Sequence, residues 1–443
     1  MADRFFDFDL CIWKEGDLYK AEVRHSPAGT CDRKGFDWPF REDHQNLLRD
    51  LELAVMRAQG YRGALMSADE AKLRDFGSSV FKAVFRGAPE IEQLYNASLA
   101  LAEHDRRGLR LKLRVDPPEL AMLPWEYVYD NVRSRDFVCL DENQPLVRFF
   151  FVEGRAVAPQ PDDRPLRVLA MVANPKGDLD VEKERRRIDQ AFEKVPADQH
   201  ELRWVQGETR DALFEALKEG PWDIFHFIGH GGVDSVEDEK GQLHTVGYLL
   251  VQDRKDEDPR FYASGLAAML KMGKVRLAVL NCCDSGRGPI SGLGATLVQT
   301  TVPLAVAMQF PISDEAALEF SEEFYKALVR GQSVENALTL ARTVMYAKSR
   351  LEWGIPVLFT RSEPTVMLRA GPRALGTKPV APLGPVAPVA PVAAVVAAAA
   401  PVSPITVTAP VSAPAAPAAI VTAAAAPPLT DAQREFRRLW SQA

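Results

Sequence analysis

The sequence predicts an α/β protein. Its centre is a mainly parallel sheet flanked by helices, with an α+β N-terminal region before it and a disordered Pro/Ala-rich C-terminal tail after it. Three observations lead there. From about residue 164 to 360, short apolar runs alternate with helical patterns, as a layered α/β architecture requires. The first 25 residues instead alternate apolar and polar on either side of Glu15-Gly16-Asp17, the pattern of a hairpin. Of 32 prolines, 13 fall between residues 371 and 430.

The N-terminal region, 1–160, opens with Phe6, Phe8, Leu10 and Ile12 in one strand and Leu18, Tyr19, Ala21 and Val23 in its partner. Residues 44–59 and 66–85 read as helices. In the second, Leu73, Phe76, Gly77, Val80, Phe81 and Val84 form a stripe that belongs in a core. Residues 109–115 alternate as a strand, Leu123-Pro124-Trp125-Glu126 follows, and 146–151 is another strand.

The second unit, 161–370, begins with Val168-Leu169-Ala170-Met171-Val172-Ala173, an unbroken apolar run expected of a strand covered on both faces. Asn174-Pro175 ends it, and a charged helix follows with Leu179, Ile188 and Phe192 as its apolar positions. Then come strand 201–205, helix 209–219, strand 223–228, a polar insertion 233–260, helix 264–271 and strand 275–280. Helix 292–299, strand 304–308, helices 314–330 and 333–349, and strand 357–359 complete the unit.

Residues 379–430 carry no charge. A membrane span is disfavoured by recurrent proline, weakly apolar alanine and the lack of a basic flank. The segment 371–430 reads as an extended, semi-rigid linker. Residues 431–443 read as a short amphipathic segment, with Phe436, Leu439 and Trp440 on one face.

Composition narrows the function. The chain has 443 residues, 47% hydrophobic and 26% charged, with net charge −7. Five basic and two acidic groups in the last 73 residues leave −10 on the rest. Such a balance argues against a general nucleic-acid binder. Five scattered cysteines make no disulfide framework and suit a reducing compartment. The start, Met1-Ala2-Asp3-Arg4, shows no secretory apolar segment, so the expected location is cytoplasmic.

Reactive groups stand at two strand ends. One is His226-Phe227-Ile228-Gly229-His230-Gly231-Gly232; the other is Leu280-Asn281-Cys282-Cys283-Asp284-Ser285-Gly286. Functional groups of a parallel sheet gather beyond the carboxyl ends of its strands. Adjacent strands lie about 5 Å apart, so a histidine and a cysteine can meet there. A thiol titrates near about 8.5, and a neighbouring imidazole takes its proton to give the thiolate nucleophile. Backbone N–H groups of Gly231 and Cys283 are candidate oxyanion donors. Zinc does not fit: Phe227 stands where H-E-x-x-H needs glutamate, and the adjacent cysteines lack C-x-x-C spacing. Neither a metal nor a cofactor is called for. A vicinal Cys282–Cys283 disulfide would need a strained ring and an oxidant.

With these motifs the chain resembles metacaspases, whose H-Y-S-G-H-G and D-C-C-H-S-G correspond to residues 226–231 and 281–286. More closely it resembles the CHAT-domain family, bacterial relatives of caspases and separases. The blocks include Leu123-Pro124-Trp125-Glu126, Ala173-Asn174-Pro175, Gln309-Phe310-Pro311-Ile312-Ser313-Asp314, Ala341-Arg342 and Trp353-Gly354-Ile355-Pro356. The resemblance implies a caspase-like fold and cysteine endopeptidase chemistry, regulated by a partner or by processing, in settings such as defence or cell death. It implies His230 as base and Cys283 as nucleophile, with His226 and Cys282 in packing or supporting positions. Asn281 departs from the metacaspase aspartate that attracts a basic substrate residue, and Asp284 or Asp314 are candidates to replace it. The acidic residues of the insertion, Asp234 to Asp258, lack EF-hand spacing and read as a solvated, mobile loop. The expected partners are a protein or peptide substrate and an activating protein, with no nucleic acid and no membrane span. The rival reading is a non-cleaving scaffold that recruits partners through its tail; the presence of both His230 and Cys283 favours the enzyme.

Overall fold

Phe5–Glu15 (β1) and Leu18–His25 (β2) form the expected hairpin, and Gly16 at its tip takes φ +60°, open to a residue without Cβ. The computed structural model describes residues 4–40, 44–57, 67–151, 164–177, 180–237, 243–252, 258–282, 292–348 and 351–361, without the side chains of 235–237, 243–245 and 314. Leu179, Cys283, Asp284, most acids of the insertion, the uncharged stretch and segment 431–443 lie outside the described residues.

β3 (Cys31–Phe36) extends the meander. Helices α1 (His44–Arg57), α2 (Ala68–Phe85) and α3 (Pro89–His104) follow, then β4 (Gly108–Val115). The sequence reading has no helix at α3. Pro89 there occupies the first turn, where its missing N–H costs nothing, and Ile91, Tyr95 and Leu99 face the core. After α4 (Pro118–Ala121) come the short β5 (Tyr129–Asp130) and β6 (Asp136–Phe137), and then β7 (Leu146–Phe149). The remaining chain alternates as expected: β8 (Leu166–Ala173), α5 (Val181–Glu193), β9 (His200–Trp204), α6 (Arg210–Lys218) and β10 (Ile224–Gly229). It continues with β11 (Gly231–Glu237), β12 (Leu243–Leu250), β13 (Arg260–Tyr262), α7 (Ala263–Met272), β14 (Leu277–Cys282) and α8 (Leu293–Thr300). β15 (Leu304–Met308), α9 (Asp314–Val329), α10 (Val334–Ala347) and β16 (Pro356–Thr360) complete it. Side-chain caps fix several starts: Ser67, Asp180, Thr209, Ser313 and Ser333 each accept from the N–H three residues on.

Eleven described strands form one sheet in the order β3-β2-β1-β4-β7-β16-β15-β14-β10-β8-β9. Only β3–β2, β2–β1 and β15–β16 pair antiparallel among them. Strands from the first 150 residues thus hydrogen-bond into the same sheet as those from 166–360. Strand alternation divides the core. Ile224, Ile228, Leu277 and Val279 face α5, α9 and α10, while Phe225, Phe227, Ala278 and Leu280 face α6, α7 and α8. Buried Arg110 of β4 joins Asp7 of β1 and Glu335 of α10, tying the N-terminal strands to the helix layer.

The insertion differs from the expected loop. β11, β12 and β13 form a three-stranded antiparallel sheet. Its order has a physical cause: Leu249, Val251 and Phe261 are buried in the same cluster as α7 and α8. Gly247 lies so close to α8 that a Cβ there would meet Leu293 N at 2.5 Å. The described acids Asp234 and Asp258 both pair with Arg260. Among the described residues no helix is long and apolar enough to cross a membrane.

Candidate active site

β10 and β14 are hydrogen-bonded neighbours in parallel register, with Ile228 opposite Asn281 and Gly229 opposite Cys282. The two motifs therefore end side by side at the carboxyl edge of the central sheet. Their contact is direct. A Cβ on Gly231 would stand 3.0 Å from Cys282 Sγ and 3.1 Å from Tyr248 O. A Cβ on Gly229 would stand 2.5 Å from Ala173 O on β8. Glycine on each side of His230 is required by close backbone approach.

His230 is half-buried between β10 and β11. Its carbonyl accepts from Leu250 N–H at 2.9 Å. In an antiparallel ladder this makes the next pair, Gly231 with Leu249, a non-hydrogen-bonded one. The Gly231 N–H consequently points away from β12.

His226 points into the layer formed by α5 and α9. It is 1% exposed, its Nδ1 shares a 2.5 Å hydrogen bond with the Tyr325 hydroxyl, and its Nε2 makes none among the described residues. Burial pushes its pKa down to about 3, so the ring is neutral. Phe192 of α5 packs on Tyr325 with ring centroids 4.4 Å apart. Asn281 is half-buried on β14, and Cys282 turns to the opposite face, 3% exposed beside Leu280. Asp314 opens α9 beyond the carboxyl end of β15, and its side chain is not described. Cys283 and Asp284 lie outside the described residues. Cys11, Cys31 and Cys139 are buried elsewhere; burial raises all three thiols, Cys11 to about 11 and Cys139 to about 12.

A polar centre behind this edge carries roles the sequence reading does not assign. Glu126 is 1% exposed and accepts from Arg148 Nε at 3.0 Å, Arg148 Nη2 at 2.8 Å and Gln309 Nε2 at 2.9 Å. Burial alone would raise its carboxyl, but Arg148 and then Arg342 hold it below the ordinary range. Gln309 also donates to Gly354 O at 2.7 Å, and Glu352 accepts from Ser313 N and Oγ. The scattered sequence blocks at 123–126, 309–314 and 352–356 thus meet around two carboxylates, Glu126 and Glu352, with Gln309 bonded to both Glu126 and Gly354 O. Charged residues embedded in otherwise apolar blocks were the available signal.

The CHAT domain family model matches residues 88–436. No curated protein matches the chain. Among solved structures, a protease matches with 11% identity and TM-score 0.38, covering 74% of this chain and 76% of that one. The Arg-specific cysteine proteinase gingipain R matches with 10% identity and TM-score 0.37, covering 73% and 76%. Saccharomyces cerevisiae separase in complex with securin matches with 14% identity and TM-score 0.33, covering 72% of this chain and 22% of that one.

Proposed function

Because this chain belongs to the CHAT-domain family, we propose that it is a caspase-like cysteine endopeptidase that cuts selected protein substrates with Cys283 as nucleophile and His230 as base. One observation supports the reading: the register of β10 with β14 sets Gly229 opposite Cys282, so the two strands that lead into His230 and Cys283 in the sequence end side by side at one edge. Cys282 supports the choice between the adjacent thiols, because it is packed into the α7–α8 side of the core and is closed to substrate.

In this mechanism His230 takes the Cys283 proton, and the thiolate attacks the substrate carbonyl. Gly231 N–H points away from the β12 ladder and, with Cys283 N–H, stabilises the oxyanion. The imidazolium then protonates the leaving amine, and water hydrolyses the acyl-enzyme. His226 is neutral and buried, and supports β10 from within the helix layer. Activity is controlled by a partner protein or by processing, and the cellular setting is regulated proteolysis.

The test compares the full-length chain with Cys283→Ala, using an electrophilic peptide probe and a proteome-derived peptide library. Labelling and cleavage by the wild type alone are expected. Equal labelling of both proteins would remove Cys283 as the nucleophile. Persistent absence of labelling and cleavage, with partner binding unaffected by the substitution, would favour a scaffold.

A further inference from the structure

Among the described residues the eleven-stranded sheet has two outer strands, β3 and β9. They are finished differently. β3 carries three successive charges, Asp32-Arg33-Lys34, and one extra residue against β2, since Ala21 pairs with Lys34 but Val23 with Cys31. Charges and a bulge keep an edge from pairing with another chain. β9, His200-Glu201-Leu202-Arg203-Trp204, has no proline and no bulge. It pairs with β8 in unbroken parallel register, from Leu166 with His200 to Ala170 with Trp204. That ladder fixes which backbone groups face off the sheet. Val205 N–H donates to Ala170 O at 2.8 Å. Backbone groups of alternate residues point the same way, so those of Glu201 and Arg203 serve β8, and those of His200, Leu202 and Trp204 point outward. Leu202 makes no further backbone hydrogen bond among the described residues, and Trp204 O accepts from the exposed Gln206 side chain at 3.1 Å.

The side chains complete the pattern. Leu202 and Trp204 are half-buried against the α5 side of the core, and the Trp204 indole donates to Asp189 of α5 at 3.0 Å. Glu201 and Arg203 are exposed on the other face, paired with Arg167 and Glu219 of their own chain. Such an edge is complementary to a second copy of itself. Two β9 strands set antiparallel about Leu202 place Leu202 opposite its own counterpart and His200 opposite Trp204, so all three outward residues take hydrogen-bonded positions. Glu201 then falls opposite Arg203 at the non-hydrogen-bonded positions, where side chains approach most closely. A slide of one residue sets outward groups against inward ones. A slide of two sets Glu201 opposite Glu201, or Arg203 opposite Arg203, and like charges directly opposite destabilise. The pairs within each chain stay in place, so charge here selects the register. The drive comes from the outward hydrogen bonds and from covering Leu202 and Trp204.

We propose that β9 is a self-association edge, through which two copies of this chain pair antiparallel and with two-fold symmetry into one continuous sheet. Antiparallel pairing points the carboxyl edges of the two sheets in opposite directions, so both candidate active sites stay clear of the contact. The proposal stands apart from the peptidase reading. A five-residue strand makes a small interface, so the dimer is weak, with a Kd on the order of 10–100 μM.

Sedimentation velocity of the full-length protein, from about 1 to about 300 μM, tests it. The weight-average mass is expected to rise from monomer toward dimer across that range. Leu202→Pro removes the N–H at the symmetry axis, a group that faces off the sheet and is not used by β8, so the variant should unfold thermally like the wild type and stay monomeric throughout. Glu201→Arg and Arg203→Glu each set like charges opposite one another and should also be monomeric when taken singly. An equimolar mixture of these two variants sets opposite charges at every facing position and should dimerise again, which also shows that both are folded. A wild type that stays monomeric at the highest concentration, a dimer that survives Leu202→Pro, or a mixture that remains monomeric would each overturn the proposal.

Discussion

Arg148→Met should be among the most damaging single changes in the chain, and the structure gives its size. Arg148 and Glu126 are 7% and 1% exposed and joined by two hydrogen bonds of 3.0 and 2.8 Å. Removing the guanidinium leaves a buried carboxylate with the Gln309 amide at 2.9 Å and the more distant field of Arg342. Stranding one partner of such a pair costs about 3–5 kcal/mol, a large share of a domain stability of about 5–15 kcal/mol. The pH dependence is part of the prediction. In the wild type the folded-state pKa of Glu126 is depressed, so its contribution is present above the unfolded value and is lost as pH falls through the folded one. Without Arg148, burial dominates and raises the carboxyl, which then takes a proton in mild acid and ceases to be a stranded charge. Urea unfolding of both proteins, followed by tryptophan fluorescence at pH 7.5 and pH 5, should show a gap that narrows at the lower pH. A gap under about 1 kcal/mol at pH 7.5, or one that does not narrow, would refute the reasoning.

Three further outcomes are expected. His226 is held neutral by burial, its pKa down at about 3 from 6.5, so folding stability falls as pH drops below about 6.5, by up to about 1.4 kcal/mol per unit; His226→Phe should flatten that decline between pH 6.5 and 5, and equal slopes in urea titrations would contradict it. Gly229→Ala forces a Cβ to 2.5 Å from Ala173 O; a stability loss of about 1–3 kcal/mol is expected in calorimetry, with loss of any peptidase activity, and an unperturbed variant would count against the close packing of β10 on β8. Native protein treated with a chromogenic disulfide reagent should release one rapid equivalent, absent in Cys283→Ala, and all five after unfolding. Cys11, Cys31, Cys139 and Cys282 are buried, so two or more rapid equivalents would break that assignment.

Much of the candidate site was legible because strand patterns and glycine spacing are local properties. The apolar run at β8, the ends of β10 and β14, and the helices at α9 and α10 all fall within a few residues of their sequence-derived bounds. The insertion reads as a loop because polar residues dominate its sequence, while its ordering depends on Leu249, Val251 and Phe261 finding a cluster built by α7 and α8. α3 escaped notice because a proline at its start looks like a break until the helix around it is known.

By itself the sequence determined the alternating α/β plan, the hairpin at Gly16 and the pairing of a histidine motif with a cysteine motif at strand ends. Each depends on residue periodicity or on what one residue type can do. Only the tertiary structure decided which strands are neighbours. It joined the N-terminal strands to the central sheet, gathered three distant blocks around Glu126 and Glu352, and turned Cys282 into the core. The physical reason is that these features are set by long-range packing and by the burial of charge. Neither has a period along the chain, and both depend on which surfaces meet when it closes on itself.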